Sequence, residues 1–190
     1  MAEIEYHPLQ PFLPTGCRIL FLGSFPPPKK RWCMDFFYPN YINDHWRILG
    51  AVFFGNRDYF VDLEKKCFKR ETIIEFLKDK GIGYYDTASA VRRLKENASD
   101  QFLEVVEATD IRALLALIPD CKAIVTTGEK AATTICQYFG LDSVPPVGGS
   151  VPIPLENIRL HRLPSSSRAY PLAFDKKVEY YKEMFKILDI

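Results

Sequence analysis

The sequence predicts an α/β fold, a three-layer α/β/α sandwich built around a mainly parallel, four-stranded sheet. Short apolar segments alternate four times with helical segments, which is the pattern of parallel strands joined by crossover helices. The 190 residues have the length of one domain. With 47% hydrophobic and 26% charged residues, the composition is that of a globular protein. We therefore expect a single domain over residues 1–190.

Four segments are predicted to be strands of this sheet. Each is short and apolar and is followed by turn residues such as glycine or proline. A proline-rich loop, SFPPPKKR, follows the first of them. The segment 144–157 is rich in turn residues and is predicted to be a long surface loop. The four strands are RILFLG (18–23), GIGYYDT (81–87), KAIVTTG (122–128) and IRLHRLP (158–164).

Five segments are predicted to be helices. In the first, Trp46, Leu49 and Phe53 recur at helical spacing, and either Asn43 or Asp44 is expected to cap its amino end. The second ends at Gly81, because glycine is the common residue just after a helix. The helical segments are 43–54, 71–81, 110–120, 128–140 and about 174–188.

Composition narrows the class of protein. No run approaches the roughly 18 apolar residues of a membrane span, and the start MAEIEYHPLQ does not resemble a secretory signal. We therefore expect a cytoplasmic, nucleoid-associated protein without membrane contact. The five cysteines lack the clustered spacing of zinc or iron–sulfur ligands, so we expect buried free thiols, no metal and no cofactor.

Three loops that follow predicted strands carry the polar groups of interest. They are GSFPPP (23–28), YYDT (84–87) with the later Arg92 and Arg93, and LPSSSRAY (163–170). In an open parallel sheet, the carboxyl ends of the strands meet at one edge, where such proteins bind their ligands. Basic residues in or just after these loops suit an anionic ligand, although the net charge of the chain is only +1.

The ordered motifs of the chain resemble those of the uracil-DNA glycosylase superfamily, and more closely its hypoxanthine-DNA glycosylase branch. The resemblance covers most of the sequence and rests on the whole ordered set, since no single motif is specific. It implies a DNA partner, a monomeric enzyme and no cofactor. The motifs are LFLGSFP (20–26), FFYPNYINDHW (36–46), GIGYYDTASAVRR (81–93), AIVTTGEKAA (123–132) and RLPSSSRA (162–169).

A glycosylase must flip its target nucleotide out of the duplex to reach the glycosidic bond. The flipped base needs an apolar slot, and base–aromatic stacking contributes about 1–3 kcal/mol. Candidate rings are those of Phe25, Phe36, Phe37 and Tyr38, each of which is also suited to a protein core. Gly23 and Ser24 can offer backbone N–H groups and a hydroxyl to a base carbonyl, and Phe25, Phe37 and Tyr38 complete the predicted base-binding set.

The catalytic group is expected in the aromatic segment. Many superfamily members carry an Asp or Asn where this chain has Phe25, and a phenyl ring cannot hold water. The hypoxanthine branch uses an Asn further on, and the resemblance places that role on Asn43, with Asn40 and Asp44 as close alternatives. Asn43 can orient a water and stabilise charge through its amide. Its structural alternative is a helix cap.

Asp86 takes the position of the base-reading residue in this resemblance, where uracil readers have Asn. An ionised Asp accepts hydrogen bonds only, whereas a protonated one also donates. Burial favours the protonated form, while Arg92 or Arg93 nearby would favour the ionised form. If Asn43 does not handle the attacking water, Asp86 is an alternative general base. Asp in such a turn is also often structural.

The last motif departs from the superfamily pattern, because Leu163 stands where other members have a His. His161 lies two residues earlier, and we do not expect it to substitute. The DNA-binding set is therefore Pro164, Ser165, Ser166, Ser167 and Arg168, whose hydroxyls, N–H groups and guanidinium can bind phosphates.

The sequence thus predicts a monofunctional base-excision repair enzyme that hydrolyses the N-glycosidic bond of uracil or hypoxanthine in DNA. The alternative is a catalytically weak nucleic-acid-binding member of the same fold, which the departures at Phe25 and Leu163 favour. A nucleotide- or flavin-binding protein is disfavoured because no GxGxxG or GxxxxGK[ST] motif follows a strand. A serine hydrolase is disfavoured because GxSxG is absent.

Overall fold

The computed structural model describes residues 3–94, 102–154 and 156–190. Its helices are α1 (His45–Phe54), α2 (Arg70–Lys80), α3 (Ile111–Ala116), α4 (Glu129–Phe139) and α5 (Phe174–Ile187). Its strands are β1 (Ile4–Tyr6), β2 (Ile19–Gly23), β3 (Val61–Asp62), β4 (Cys67–Phe68), β5 (Ile82–Asp86), β6 (Ala88–Arg93), β7 (Leu103–Ala108), β8 (Ala123–Thr127), β9 (Ser150–Ile153) and β10 (Ile158–Leu163).

The central sheet has five strands in the order β5-β2-β8-β10-β9. The four predicted strands are present and mutually parallel, but β9 runs antiparallel to β10, so the sheet is mixed. The predictions of a four-stranded sheet and of a surface loop over 144–157 were therefore wrong. Two prolines in the segment SVPIP (150–154) made it look like a loop in the sequence. An edge strand tolerates proline, because its outer side needs no ladder hydrogen bond.

Helices cover both faces of the central sheet, as the three-layer prediction required. Side chains alternate between the faces along each strand. Ile19 and Phe21 of β2 face a core shared with α1, α2 and α5, whereas Leu20 and Leu22 face a second core shared with α3 and α4. The strands are thus buried on both sides, which explains their nearly continuous apolar sequence.

A second, antiparallel sheet of order β1-β6-β7 was not predicted. Strand β6 begins two residues after β5 ends, so the chain passes from the central sheet into the small sheet directly after Asp86. Strand β1 pairs with β6 in a register that sets Ile4 against Arg92 and Tyr6 against Ala90. The amino-terminal segment is thereby brought next to the end of β5.

The helix ends follow the predicted signals. Helix α2 stops at Gly81, whose φ of 65° lies in the left-handed region that suits glycine. Helix α4 lies between Gly128 and Gly140, as expected. The predicted proline-rich loop after β2 contains a single 3-10 turn at Lys29–Arg31. None of the described helices is long and apolar enough to cross a membrane.

Three of the five cysteines, Cys17, Cys121 and Cys136, are buried. Burial raises the pKa of Cys17 to about 12 and that of Cys121 to about 11. Both thiols are therefore protonated at neutral pH, in agreement with the prediction of mostly buried thiols.

The carboxyl ends of the parallel strands lie side by side. Gly23 of β2 pairs with Asp86 of β5, and Leu163 of β10 pairs with Thr127 of β8. Pro164 directly follows Leu163. The prediction that Gly23, Asp86 and Pro164 share one edge of the sheet is thus confirmed.

Candidate functional site

A cavity of about 590 Å³ opens at this edge of the central sheet. All but two of the predicted site residues line it, and the two exceptions are Asp44 and Pro164. The predicted residues in its wall are Gly23, Ser24, Phe25, Phe37, Tyr38, Asn43, Asp86, Ser165, Ser166, Ser167 and Arg168. Thr127, which the sequence analysis did not single out, joins them from the end of β8.

Three of the four candidate aromatic rings line the cavity. Phe25, Phe37 and Tyr38 form part of its wall, whereas Phe36 is buried in the core, where its ring packs against Phe12 and Trp46. The aromatic segment therefore serves both the core and the cavity.

Tyr38 is held in one orientation by three features. Its φ of 48° places it in the left-handed region, which is uncommon for a bulky residue. Its ring stacks on His45 with centroids 3.7 Å apart, and its hydroxyl lies 2.6 Å from Oγ1 of Thr127. A backbone conformation of this kind persists only where the surroundings enforce it. The cavity thus has one rigid aromatic wall.

His45 supports that wall from within the core. It is completely buried, and burial lowers its pKa to about 3, so the imidazole is neutral. Its Nε2 lies 2.7 Å from the hydroxyl of the equally buried Tyr84. The neighbouring Trp46 donates from its indole nitrogen to the carbonyl of Phe37 at 3.0 Å. Helix α1 therefore fixes the two aromatic residues before it.

Asp86 is paired with His7, a residue that the sequence analysis missed. Nε2 of His7 lies 2.8 Å from Oδ2 of Asp86, and the two side chains are 2% and 11% exposed. The other oxygen, Oδ1, lies against Gly23, where a Cβ atom would collide with it. Glycine is needed at this position for the space it leaves.

The arginines considered as partners of Asp86 have other partners. Arg93 makes a two-pronged ion pair with Glu5 at 3.0 and 3.1 Å, and Arg92 lies 3.6 Å from Glu104. The side chain that engages Asp86 is thus that of a histidine directly after β1. No local sequence signal links His7 to Asp86, because they are 79 positions apart.

Asn43 lines the cavity and also closes the turn before α1. Its Oδ1 accepts the N–H of His45 at 2.9 Å, and its own N–H donates to the carbonyl of Asn40 at 2.8 Å. The N-cap of α1 is Asp44, whose side chain makes no capping hydrogen bond, and Asn43 instead forms an Asx turn with the first helical residue. An amide oxygen has a second lone pair and the amide nitrogen has two donors, so the side chain can also hold a water.

Asp44 lies behind the cavity and is 6% exposed. Its Oδ1 accepts from Nε of Arg168 at 2.8 Å, and its backbone N–H donates to the carbonyl of Ser166 at 3.1 Å. This places Asp44 where it orients the serine loop (residues 164–168), and not where it contacts a molecule in the cavity.

The serine loop is anchored a second time by α5. Lys177 is 2% exposed and donates from Nζ to the carbonyl of Ser167 at 2.7 Å. Burial lowers the pKa of this lysine, while Asp44 opposes that shift. Within the loop, the hydroxyl oxygens of Ser165 and Ser167 accept backbone N–H groups at 3.2 Å. The loop is thus held rigidly at the cavity's rim.

His161 lies inside the sheet and outside the cavity lining. It is 4% exposed, burial lowers its pKa to about 4, and its Nε2 has no partner among the described residues. Leu163 is also buried. This position agrees with the expectation that His161 does not replace the missing histidine.

Within residues 3–94, 102–154 and 156–190, no group of three or more His, Cys, Asp or Glu side chains is arranged to hold a metal ion. The side chains that line the cavity carry hydroxyls, two amides (Asn40 and Asn43), one carboxylate (Asp86) and two guanidinium groups (Arg31 and Arg168), together with aromatic rings.

No protein-family model and no curated protein matches this sequence. Among solved structures, the chain is similar to the solution NMR structure of a candidate uracil DNA glycosylase from Methanosarcina acetivorans. The two share 23% sequence identity and superpose with a TM-score of 0.64, over 99% of this chain and 100% of the other. The likeness shows a common α/β fold over the whole length.

Proposed function

We propose that this protein is a DNA glycosylase that hydrolyses the N-glycosidic bond of a deaminated base, uracil or hypoxanthine, after flipping it out of the duplex. The observation that carries the proposal is the cavity at the carboxyl edge of the sheet. Rigid aromatic walls, one buried carboxylate and a clamped, serine-rich rim come together there. The shared fold with a candidate uracil DNA glycosylase supports the same class of reaction.

The cavity suits a single flipped base. Phe25, Phe37 and Tyr38 supply apolar walls, and stacking on aromatic rings is tolerant of base identity. Polar groups must then distinguish one base from another. Among those in the cavity wall, Asp86 is the buried ionisable group. In this proposal Asp86 contacts the hydrogen-bonding edge of the base.

In the proposed reaction, the C1′–N bond breaks and its electron pair leaves with the base. The sugar becomes an oxocarbenium-like cation that a water traps at C1′. The proton that this water loses passes to the solvent, and the departing base anion takes one proton from the solvent. Asn43 holds the water through its amide, and its carbonyl dipole stabilises the developing positive charge. The amide is already oriented by the N–H of His45, so little reorganisation is needed.

The serine loop and Arg168 bind the flanking phosphates. Arg168 is 45% exposed at the rim of the cavity, and Asp44 holds its guanidinium while leaving other N–H donors for an anion. Backbone N–H groups and hydroxyls of such loops commonly fix the register of a duplex.

The alternative is a member of this fold that binds nucleic acid and turns over weakly. One observation favours it: the oxygen of Asn43 already accepts a helix N–H and the carboxylate of Asp44 is engaged by Arg168. Neither side chain is then available as a base for the attacking water. Measured turnover separates the two functions.

The test uses duplex and single-stranded oligonucleotides that each carry one uracil, hypoxanthine or xanthine. We expect the wild-type chain to form abasic sites with at least one of these bases. Replacing Asn43 by Ala should lower the single-turnover rate by about 10²–10³-fold, the scale for one positioned electrostatic group, with DNA affinity nearly unchanged.

Asn43→Ser is the matched control, because a serine hydroxyl can also accept a backbone N–H two residues on. Asn43→Ala loses the hydrogen bond to the N–H of His45 and should destabilise the fold by about 1 kcal/mol, whereas Asn43→Ser should retain stability and still lose rate. Tight DNA binding by the wild type without any abasic product would establish the binding protein instead.

A further inference from the structure

We infer that His7 is a positioning residue of this site: it holds Asp86 as an ionised hydrogen-bond acceptor, so that the cavity takes bases whose ring nitrogen beside a carbonyl carries a proton. This inference rests on the proposed function, because it assumes that the cavity binds a base for hydrolysis. It adds which edge of that base forms a hydrogen bond with Asp86. Nothing in the local sequence around either residue points to the pair.

His7 is built into the protein in the way expected of a support for Asp86. Its side chain is 2% exposed, and Nε2 lies 2.8 Å from Oδ2 of Asp86. The imidazole packs against the rings of Tyr85 and Phe25, with centroids 4.6 and 5.3 Å away. The backbone of Leu9 engages Nδ1, with its N–H at 3.1 Å and its carbonyl at 2.9 Å. The ring therefore has a single orientation.

The N–H of Leu9 donates to Nδ1 of His7 at 3.1 Å, so the other ring nitrogen carries the hydrogen that lies between the two side chains. Nε2–H then donates to Oδ2 of Asp86 at 2.8 Å. Asp86 accepts this hydrogen bond and keeps its second oxygen for a ligand.

The small antiparallel sheet places His7. The residue directly follows β1, and its N–H donates to the carbonyl of Ser89 at 2.8 Å. The ion pair between Glu5 and Arg93 locks β1 onto β6, and Arg93 also donates to the carbonyl of Pro26 in the loop after β2 at 3.1 Å. The amino-terminal strand thus connects Asp86 to the cavity's proline-rich wall.

The carboxylate oxygen of Asp86 that His7 does not engage determines which bases can bind. His7 takes Oδ2, and Oδ1 lies beside Gly23 in the wall of the cavity. An ionised carboxylate oxygen accepts but does not donate. It therefore suits the ring N–H of hypoxanthine, xanthine or uracil, and it repels a base with an unprotonated ring nitrogen at that point.

The test compares His7→Gln with His7→Phe. Glutamine keeps an N–H donor at the end of the side chain, whereas phenylalanine keeps a flat ring among Phe25 and Tyr85 without any donor. We expect His7→Gln to release base within a few fold of the wild-type rate. His7→Phe should lose about 10- to 100-fold, the scale of one hydrogen bond to a charged group, with unchanged circular dichroism.

A second measurement uses free bases and does not depend on turnover. NMR titration of the wild-type chain should show binding of uracil and hypoxanthine and at least tenfold weaker binding of 3-methyluracil and 1-methylhypoxanthine. This preference should persist in His7→Gln and disappear in His7→Phe. A residue with a merely structural role would lower all four affinities alike. The wild-type comparison remains decisive even if His7→Phe does not fold.

The outcomes separate the two proposals. A wild-type chain that binds uracil or hypoxanthine but releases neither from DNA would overturn the proposed function, and the His7 variants would still decide the role of His7. Equal behaviour of His7→Gln and His7→Phe, or equal affinity for the methylated bases, would overturn the inference while the function stands. A chain that neither binds nor releases would overturn both.

Discussion

Three polar residues of the candidate site have structural partners that fix their direction. Asp86 is held by His7, Asn43 by the N–H of His45, and Tyr38 by its stacking on His45 and its contact with Thr127. Such fixed groups need little reorganisation when charge develops, which is the main source of electrostatic catalysis. The contacts that hold these residues in the fold therefore also set the direction of their polar groups.

The pairing with His7 makes a specific prediction for Asp86→Asn. The new amide should turn its oxygen toward Nε2–H of His7, which leaves its NH₂ group on the side of Gly23 and the cavity. The substitution thus replaces an acceptor by a donor, which suits a base carbonyl. We expect the ratio of uracil to hypoxanthine release to rise by about tenfold, the scale of one hydrogen bond, as measured in single-turnover assays.

Asp86→Ala is the matched control, because it should lower the release of both bases without a change in their ratio. If Asp86→Asn abolishes release of every base while Asn43→Ala has no effect, the two roles are inverted. Asp86 would then be the general base, and Asn43 would only close the turn before α1.

At the scale of elements, the loops at the strand ends are held by helices from both directions. The serine loop contacts the start of α1 through Asp44 and the start of α5 through Lys177. Both contacts are made by side chains that are largely buried. The loop therefore presents Arg168 and its N–H groups at a defined place, which is what binding a phosphate at a fixed register requires.

Removal of Arg168 should weaken DNA binding mainly through charge. With few cations at the rim, affinity should be modest and salt-sensitive, and each phosphate contact contributes about 0.9 to the slope of log K against log salt. Arg168→Ala should lower that slope by about one and leave the salt-independent part nearly unchanged. Fluorescence anisotropy over a range of NaCl concentrations measures both quantities.

Arg159→Ala provides the comparison, because Arg159 is an exposed cation at the opposite end of β10. It should not alter the slope. If Arg168→Ala and the wild type bind DNA with equal affinity at low salt, Arg168 is not part of the DNA-binding surface.

At the scale of the whole molecule, two histidines are buried in the core in their neutral form. His45 is the first residue of α1 and contacts Tyr84 of the central sheet, and His161 lies within β10. Burial lowers their pKa values to about 3 and about 4. Both imidazoles are therefore neutral in the folded protein over the whole physiological range.

These histidines predict that stability falls in mild acid. Unfolding exposes both imidazoles, which then bind protons below about pH 6.5, whereas the folded state binds them only near pH 3–4. Their contribution is complete above about pH 6.5 and is lost as the pH falls below it. Each histidine can lower the free energy of unfolding by up to about 1.4 kcal/mol per pH unit. Urea denaturation between pH 7.5 and 5 should show this decrease.

The variant His161→Leu isolates one of the two contributions, because it removes a titrating group from a buried position. Its free energy of unfolding should depend less steeply on pH over that range than that of the wild type. A free energy of unfolding that stays constant from pH 7.5 to pH 5 in the wild type would show that neither histidine is kept neutral by the fold.

Local sequence was sufficient for the elements that build the main sheet and for most of the cavity wall. The four parallel strands are short apolar segments, and the helices end at residues such as Gly81 and Gly140 whose conformational preferences are local. Because parallel strands align their carboxyl ends, the loops at 23–28 and 163–170 could be placed together before any contact was known. Arg168 was found in this way, whereas Asn43 was placed by the family resemblance of residues 36–46.

What the sequence by itself determined, then, was the layered α/β architecture and the edge of the sheet that carries the polar loops. Only the tertiary structure decided that β1 pairs with β6, that β9 extends the sheet antiparallel, and that His7 reaches Asp86. A three-residue strand has almost no periodicity of its own, and its partner lies more than 80 residues away. Its pairing depends on long-range contacts, which local patterns do not encode.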